Sequence, residues 1–430
     1  MTWNIVLAVG IFLGCLYLIF SEKLNRTIVA MAGAVVMTGS GLLFGFYNEE
    51  QALNAIDFET IGLLLGMMIL VALLEPTGFF QFLAVWAGRL SRGNPVRLLI
   101  LLGVVTTLLS MFLDNVTTVI LIAPVTILIC EILGVNPAPL LTAEALLSNT
   151  GGTATLVGDP PNVLIASASN FSFNDFVLHS LPVILVAWLA ALILLLWLFR
   201  QDLSAPAEYA DAVLGLNPTQ ALEDVVAARR VLLVLAGALV LFFFQESLHL
   251  SPAFIALGAA ALALIWIRPA IHEVLHRIEW SVLLFFAGLF VVVGGLEASG
   301  ALQLLAGLLF RLKWLPPLWL GILFLWVIAI LSAVVDNIPI TIAMIPVIEG
   351  LGAAGLEIQP LWWALVFGAG LGGNATIIGS TANMIVTTLS EKTRFPITPA
   401  LWNKRGLPVM LLTCSIACVL YAVFFGWFGV

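Results

Sequence analysis

Residues 114–124 read DNVTTVILIAP, and residues 336–346 read DNIPITIAMIP. Asp114-Asn115 thus returns as Asp336-Asn337 after 222 positions (336−114), and Pro124 returns as Pro346 at the same interval (346−124). Both pairs interrupt long apolar stretches, where an unpaired carboxylate is destabilising. Duplicated polar breaks in hydrophobic segments point to the substrate and ion site of a secondary transporter.

The composition agrees. The chain has 430 residues, 62% hydrophobic and 9% charged, against about 25% charged in soluble domains. It reads as an all-α polytopic membrane protein, in contact with membrane lipids. Net charge is −8, but orientation follows Lys and Arg in the loops rather than net charge. No basic patch suggests nucleic acid. Cys15, Cys130, Cys414 and Cys418 lie in apolar segments and read as small buried hydrophobes. No His or acid stands close enough to them to suggest a metal site. The opening MTWNIVLAVG lacks a basic n-region and reads as a first span rather than a cleaved signal.

A span needs roughly 20 apolar residues. Such segments fall near 3–20, 27–46, 59–76, 138–170 and 175–199, then near 231–246, 252–268, 280–297, 361–390 and 406–428. A polar stretch over 200–230 separates the sets as a linker between repeats 1–199 and 231–430. The segments 98–134 and 318–351 are too long for one span, and each is cut by Asp-Asn. Each reads as a re-entrant helical hairpin with Asp-Asn at its tip. Residues 77–92 and 299–313 read as short interfacial helices. With the N-terminus outside, 14 of the 16 Lys and Arg residues face the cytoplasm, and only Arg311 and Lys313 face out. Five spans per half turn the second copy upside down, which is an inverted repeat with both termini periplasmic. Gly66 with Gly288, Glu75 with Glu297 and Gly78 with Gly300 keep the 222 interval. Gly151-Gly152 with Gly372-Gly373, Gly158 with Gly379 and Asn162 with Asn383 keep 221.

The stretch from Ser148-Asn149-Thr150-Gly151-Gly152-Thr153 to Gly158-Asp159-Pro160-Pro161-Asn162 suits no continuous helix. Its prolines remove donors and its glycines weaken the turn. Unwound backbone at membrane depth is tolerated where it is buried in protein or lines a wet cavity. There, free carbonyls hold cations and half-helix N-termini face anions or polar groups. The partner stretch, Gly372-Gly373-Asn374 to Ser380-Thr381-Ala382-Asn383, repeats the design without the acid and prolines.

Asp114 and Asp336 sit at the tips, where each either caps the outgoing arm or carries a coupling proton or cation. Asn115 and Asn337 would orient the tips or touch cargo. Asp159 has Ser380 as its repeat partner, so it is the unpaired candidate for a proton or cation site. Glu144, four residues before Ser148, is a second candidate relay acid or a structural partner. Thr117 and Thr153 are among the hydroxyls around the breaks, many of which would bond back onto helix carbonyls. Glu75 and Glu297 read as span ends. The 13 tryptophans read as interface anchors.

DNVTTVILIAP followed by GGTATLVGDPPNVLIAS resembles the ion transporter superfamily, within it the arsenite-permease, P-protein and NhaD-like branch. The resemblance covers nearly the whole chain. It implies a scaffold unit and a mobile transport unit, often as a homodimer. It also implies a site between the tips and breaks: Asp114, Asn115, Asp336, Asn337, Gly151, Gly152, Thr153, Asp159, Asn162, Gly372, Gly373, Asn374, Ser380 and Asn383. The dicarboxylate branch carries Ser-Asn-Thr at its tips. Two fixed acids here disfavour a dicarboxylate.

The expected function is export of arsenite or antimonite across a bacterial inner membrane in exchange for protons, with no enzymatic step and no cofactor. The resemblance supplies that cargo. A sodium/proton antiporter and an anion permease stand as alternatives. A channel-like subunit driven by a separate ATPase is a third, and no Walker motif lies in this chain to replace that partner. A receptor or assembly protein would have no use for duplicated broken helices.

Overall fold

The computed structural model describes residues 2–21, 23–204, 215–301 and 315–429, which form helices and connecting turns with no strand among them. Among the described residues, seven helices are long and apolar enough to cross a membrane: Arg26–Phe44, Phe58–Thr77, Asn115–Leu133, Phe173–Leu198, Val225–Leu248, Trp280–Ala298 and Pro399–Val423. Shorter apolar helices include Pro95–Ser110, Pro252–Ile267 and Pro317–Ser332. The amphipathic helix Phe79–Ser91 takes up the stretch read as interfacial. Most of 299–313, and the middle of the 200–230 linker, lie outside the described residues.

Both long interrupted segments are broken where the Asp-Asn pairs stand. Pro95–Ser110 ends before Asp114, and Asn115–Leu133 begins after it. Pro317–Ser332 ends before Asp336, and Asn337–Ala353 begins after it. The expected spans 138–170 and 361–390 are likewise split, into Ala138–Gly152 and Pro160–Ser169, and into Gln359–Gly372 and Thr381–Ser390. The linker is shorter than its composition suggests. Asp224 accepts from Ala227 N at 2.8 Å and starts a helix at Val225, six residues before the expected span.

Packing is reciprocal. The Phe58–Leu74 helix lies against Pro252–Ile267, and Trp280–Ala298 lies against Arg26–Phe44. Gly66 makes the first approach: a Cβ there would stand 2.5 Å from the Ala256 carbonyl carbon. Gly288 makes the second, 2.8 Å from that of Ala30. Gly78 and Gly300 both adopt left-handed backbone, φ 76° and 83°, which suits glycine. The outgoing arm 115–133 packs on 381–390, and 337–353 packs on 160–169, so each tip faces the other half's broken helix.

The hydrogen bonds repeat as well. Ser110 Oγ donates to Ser148 O at 2.8 Å, and Ser332 Oγ to Ala369 O at 2.8 Å. Thr155 Oγ1 donates to Met111 O, and Thr376 Oγ1 to Ala333 O. These bonds tie each break to its own hairpin tip.

Three tryptophans depart from the interfacial expectation. Trp362, Trp363 and Trp402 are buried in the core. Trp402 Nε1 donates to Asn374 O at 3.3 Å and so braces the second break.

Candidate functional site

Each break leaves carbonyls without helical partners, and one asparagine in each closes them. Asn162 Nδ2 donates to Gly152 O at 3.1 Å and Thr155 O at 2.7 Å. Asn383 Nδ2 donates to Gly373 O and Thr376 O, both at 2.9 Å. Gly151 and Gly372 pack against the incoming arms at Thr107 and Ala329, while Gly152 and Gly373 face the Gly158 and Gly379 carbonyls. Thr153 bonds back to Asn149 O at 3.0 Å. These bonds and close approaches hold the backbone of the two breaks in place.

Asn149 joins the two halves. Its Nδ2 donates to Asn374 Oδ1 at 3.0 Å and Asn383 Oδ1 at 2.9 Å. Its Oδ1 accepts from Asn115 Nδ2 at 3.1 Å and Ser380 Oγ at 3.0 Å. Both donors and both lone pairs are used, as burial demands. Asn374 also donates to Thr150 Oγ1 at 3.1 Å, and Ser148 Oγ reaches Asn115 O at 3.4 Å.

The tips behave differently. Asp114 Oδ2 accepts from Thr117 N at 3.0 Å and Thr117 Oγ1 at 3.2 Å, so it caps its arm. Its Oδ1 is buried without a partner. Asp336 has Pro339 where Asp114 has Thr117, so the third helical position offers no N–H. Its Oδ1 keeps a long bond to Ile338 N at 3.4 Å. Its Oδ2 takes Arg26 Nη1 at 2.9 Å and Thr381 Oγ1 at 2.8 Å. Asp159, 2% exposed, accepts from Asn337 Nδ2 at 2.9 Å, so the first break meets the second tip.

Between the tips lies a cavity of about 50 Å³ lined by Asp114, Asn115, Asp159, Asp336, Asn337 and Ser380, all read from the sequence, with Thr381. Arg26 and Glu279 also line it, and the sequence reading missed both as site residues. Glu279 precedes the 280–298 span. Burial first, and then the Asp114 carboxylate, push its carboxyl up to about 7, with Arg26 opposing. A second cavity of about 240 Å³ shares Asp114 and Glu279 and extends past Thr117 to Glu75 and Arg277, which pair at 3.0 Å. Glu144 lines neither cavity: it is 1% exposed in the seam with the 115–133 arm, with Oε1 accepting from Thr126 at 2.5 Å and Oε2 unpartnered.

Paired broken helices, facing polar tips and a carboxylate-rich cavity in an apolar bundle define a membrane transporter. The chain belongs to the citrate transporter family, CitMHS, whose model matches residues 16–368. An uncharacterised transporter of Mycobacterium tuberculosis is 38% identical over 425 residues, covering 96% of this chain and 97% of that relative. The P protein of Homo sapiens is 34% identical over 515 residues, covering 99% of this chain and 61% of its own length. The crystal structure of the YdaH transporter of Alcanivorax borkumensis shares the fold, with TM-score 0.66, 16% identity and coverage of 99% and 98% of the two chains.

Proposed function

We propose that this chain is a proton-coupled secondary transporter that exports a small uncharged inorganic hydroxide, with arsenite and antimonite as its cargo. The observation that carries this reading is the cavity between the tips, where four carboxylates (Asp114, Asp159, Asp336 and Glu279) face one guanidinium in about 50 Å³. The clustered carboxylates disfavour a citrate-like polyanion, because like charges repel strongly where water is scarce. A neutral hydroxide can meet Asn115, Asn337 and Ser380 with both donors and acceptors, and the acids can alternate between proton and cargo. Reciprocal packing supports two inverted halves, 1–199 and 231–430, joined by a cytoplasmic linker. Loop charge supports a bacterial inner-membrane setting with periplasmic termini.

The test uses the purified chain in proteoliposomes with an imposed pH gradient. Antimonite flux should follow the gradient in the parent and lose that dependence in Asp159→Asn and Asp114→Asn, with both variants still inserted. Full, gradient-dependent flux in both variants removes these acids from the mechanism. The excess of carboxylate oxygens favours sodium/proton antiport as a second reading. Sodium-driven proton movement with no antimonite flux selects it.

A further inference from the structure

Arg26 opens the Arg26–Phe44 helix and reaches the second tip from 310 positions away. Its guanidinium lies 5.6 Å from the Phe285 ring centre and donates to Asp336 Oδ2 at 2.9 Å. Thr381 fills the rest of that oxygen. The charged and titratable groups around Asp336 are Arg26 from the 26–44 helix, Asp114 from the first tip, Asp159 from the first break and Glu279 ahead of the 280–298 helix. Arg26 is the sole cation lining this cavity among the described residues.

The first tip has no such ion pair among the described residues: Arg277 lines the larger cavity beside Asp114, but it pairs with Glu75 at 3.0 Å. The 252–267 helix takes the place of 26–44 in the reciprocal packing, and it opens with Ser251-Pro252. Pro160 stands where the second half has Thr381. The Asp114 Oδ1 that this leaves over is buried, unpartnered and beside the cavity.

We infer that Arg26 is a tethered cation filling the Asp336 site, which leaves Asp114 as the tip acid open to a travelling proton or cation. This rests on the proposed coupling role of the tip acids. It adds a positioning residue and assigns the two acids different work. Arg26 belongs to a helix packed on 280–298, whereas Asp336 belongs to the second hairpin. The pair therefore clamps that hairpin to the 26–44 helix until the guanidinium lets go. Charge balance follows: with Asp336 internally compensated, Asp114 is the tip acid that still needs an exchangeable positive charge, alongside Asp159 in the first break.

Leu24 and Val334 flank the pair and are 52% and 66% exposed. In the full chain carrying Leu24→Cys, Val334→Cys and Cys418→Ala, with the three remaining native cysteines buried, a short bifunctional thiol reagent reports engagement of the clamp. Cross-linking should fall about fivefold in Arg26→Gln, the upper range for a partly exposed ion pair, and return in Arg26→Lys. Asp336→Asn should lower it equally, and the double variant no further. If Arg26→Gln does not fold, the Asp336→Asn and Arg26→Lys arms decide. In proteoliposomes the order of antimonite or sodium flux in proton concentration should rise by about one over the parent in Arg26→Gln, as Asp336 joins Asp114 and Asp159 among the exchangeable acids. A purely structural pair would not move that order. Unchanged cross-linking in Asp336→Asn, or unchanged proton order in a transporting Arg26→Gln, overturns the inference. Cross-linking needs no cargo, so a parent that moves neither probe yet shows the expected cross-linking pattern sinks the proposed function and leaves the clamp standing.

Discussion

The two hairpin tips begin with the same Asp-Asn and end in different chemistry. At the first, Thr117 supplies an N–H and a hydroxyl, and Asp114 spends one oxygen on capping. At the second, Pro339 supplies no N–H, and Asp336 turns to Arg26 and Thr381. The breaks diverge in the same sense: Asp159 answers Ser380, Pro160 answers Thr381, and Asn149 answers Gly370 at the 221 interval. Duplication thus preserves the backbone bonds that hold the breaks, while side chains facing the centre are free to specialise. One half supplies an uncompensated acid and the central amide; the other supplies an acid already neutralised.

The largest effect is expected when the first half is given the second half's residue. Asn149→Gly copies Gly370 and removes a side chain that makes four hydrogen bonds. Asn115, Asn374, Asn383 and Ser380 would each lose a buried partner. An unsatisfied buried polar group costs about 1–3 kcal/mol, and water entering the vacated space recovers part of that. A net loss of about 3 kcal/mol is expected, read as a lower thermal midpoint in detergent. An unchanged midpoint would show that the hub is replaceable by solvent.

Much of this site was legible because its signals are local. Asp-Asn inside an apolar run, prolines after Asp159 and paired glycines each disrupt a helix where they stand, and the intervals of 222 and 221 exposed the duplication. Asp224 before an apolar run was an available capping signal that the polar composition of the linker obscured. Arg26 and Glu279 were not legible as site residues. Each precedes a long span and looks like an ordinary flanking charge, and only tertiary packing carries Arg26 to Asp336. Trp402 was hidden for a related reason: tryptophan suits an interface and a core equally, and its Asn374 partner lies 28 positions away.

A smaller perturbation exchanges the caps. Thr117→Pro removes the N–H that Asp114 accepts, and should cost about 1 kcal/mol, the usual worth of an N-cap bond. Pro339→Thr restores that donor at the second tip. It should draw Asp336 toward its own helix and weaken the Arg26 pair, seen as reduced Leu24→Cys/Val334→Cys cross-linking with little change in thermal midpoint. Equal cross-linking before and after would mean that Arg26, rather than the missing N–H, sets the Asp336 orientation.

The smallest effect tests whether the same specialisation extends beyond the tips. Asp57 and Glu279 stand 222 positions apart (279−57), each just ahead of a long helix. Asp57 caps, accepting from Glu59 N at 2.9 Å and Thr60 N at 3.1 Å. Glu279 makes no cap bond and faces the cavity instead. Its carboxyl is raised from 4.5 to about 7, mainly by burial. The folded chain therefore keeps this proton over a window in which the unfolded chain has released it. By linkage, this group's contribution to stability declines as pH climbs from 4.5 to about 7 and levels off above. Glu279→Gln should flatten the thermal midpoint against pH across that window. An identical slope in Glu279→Gln would return Glu279 to the status of an ordinary flanking charge and confine the divergence of the two halves to their tips and breaks.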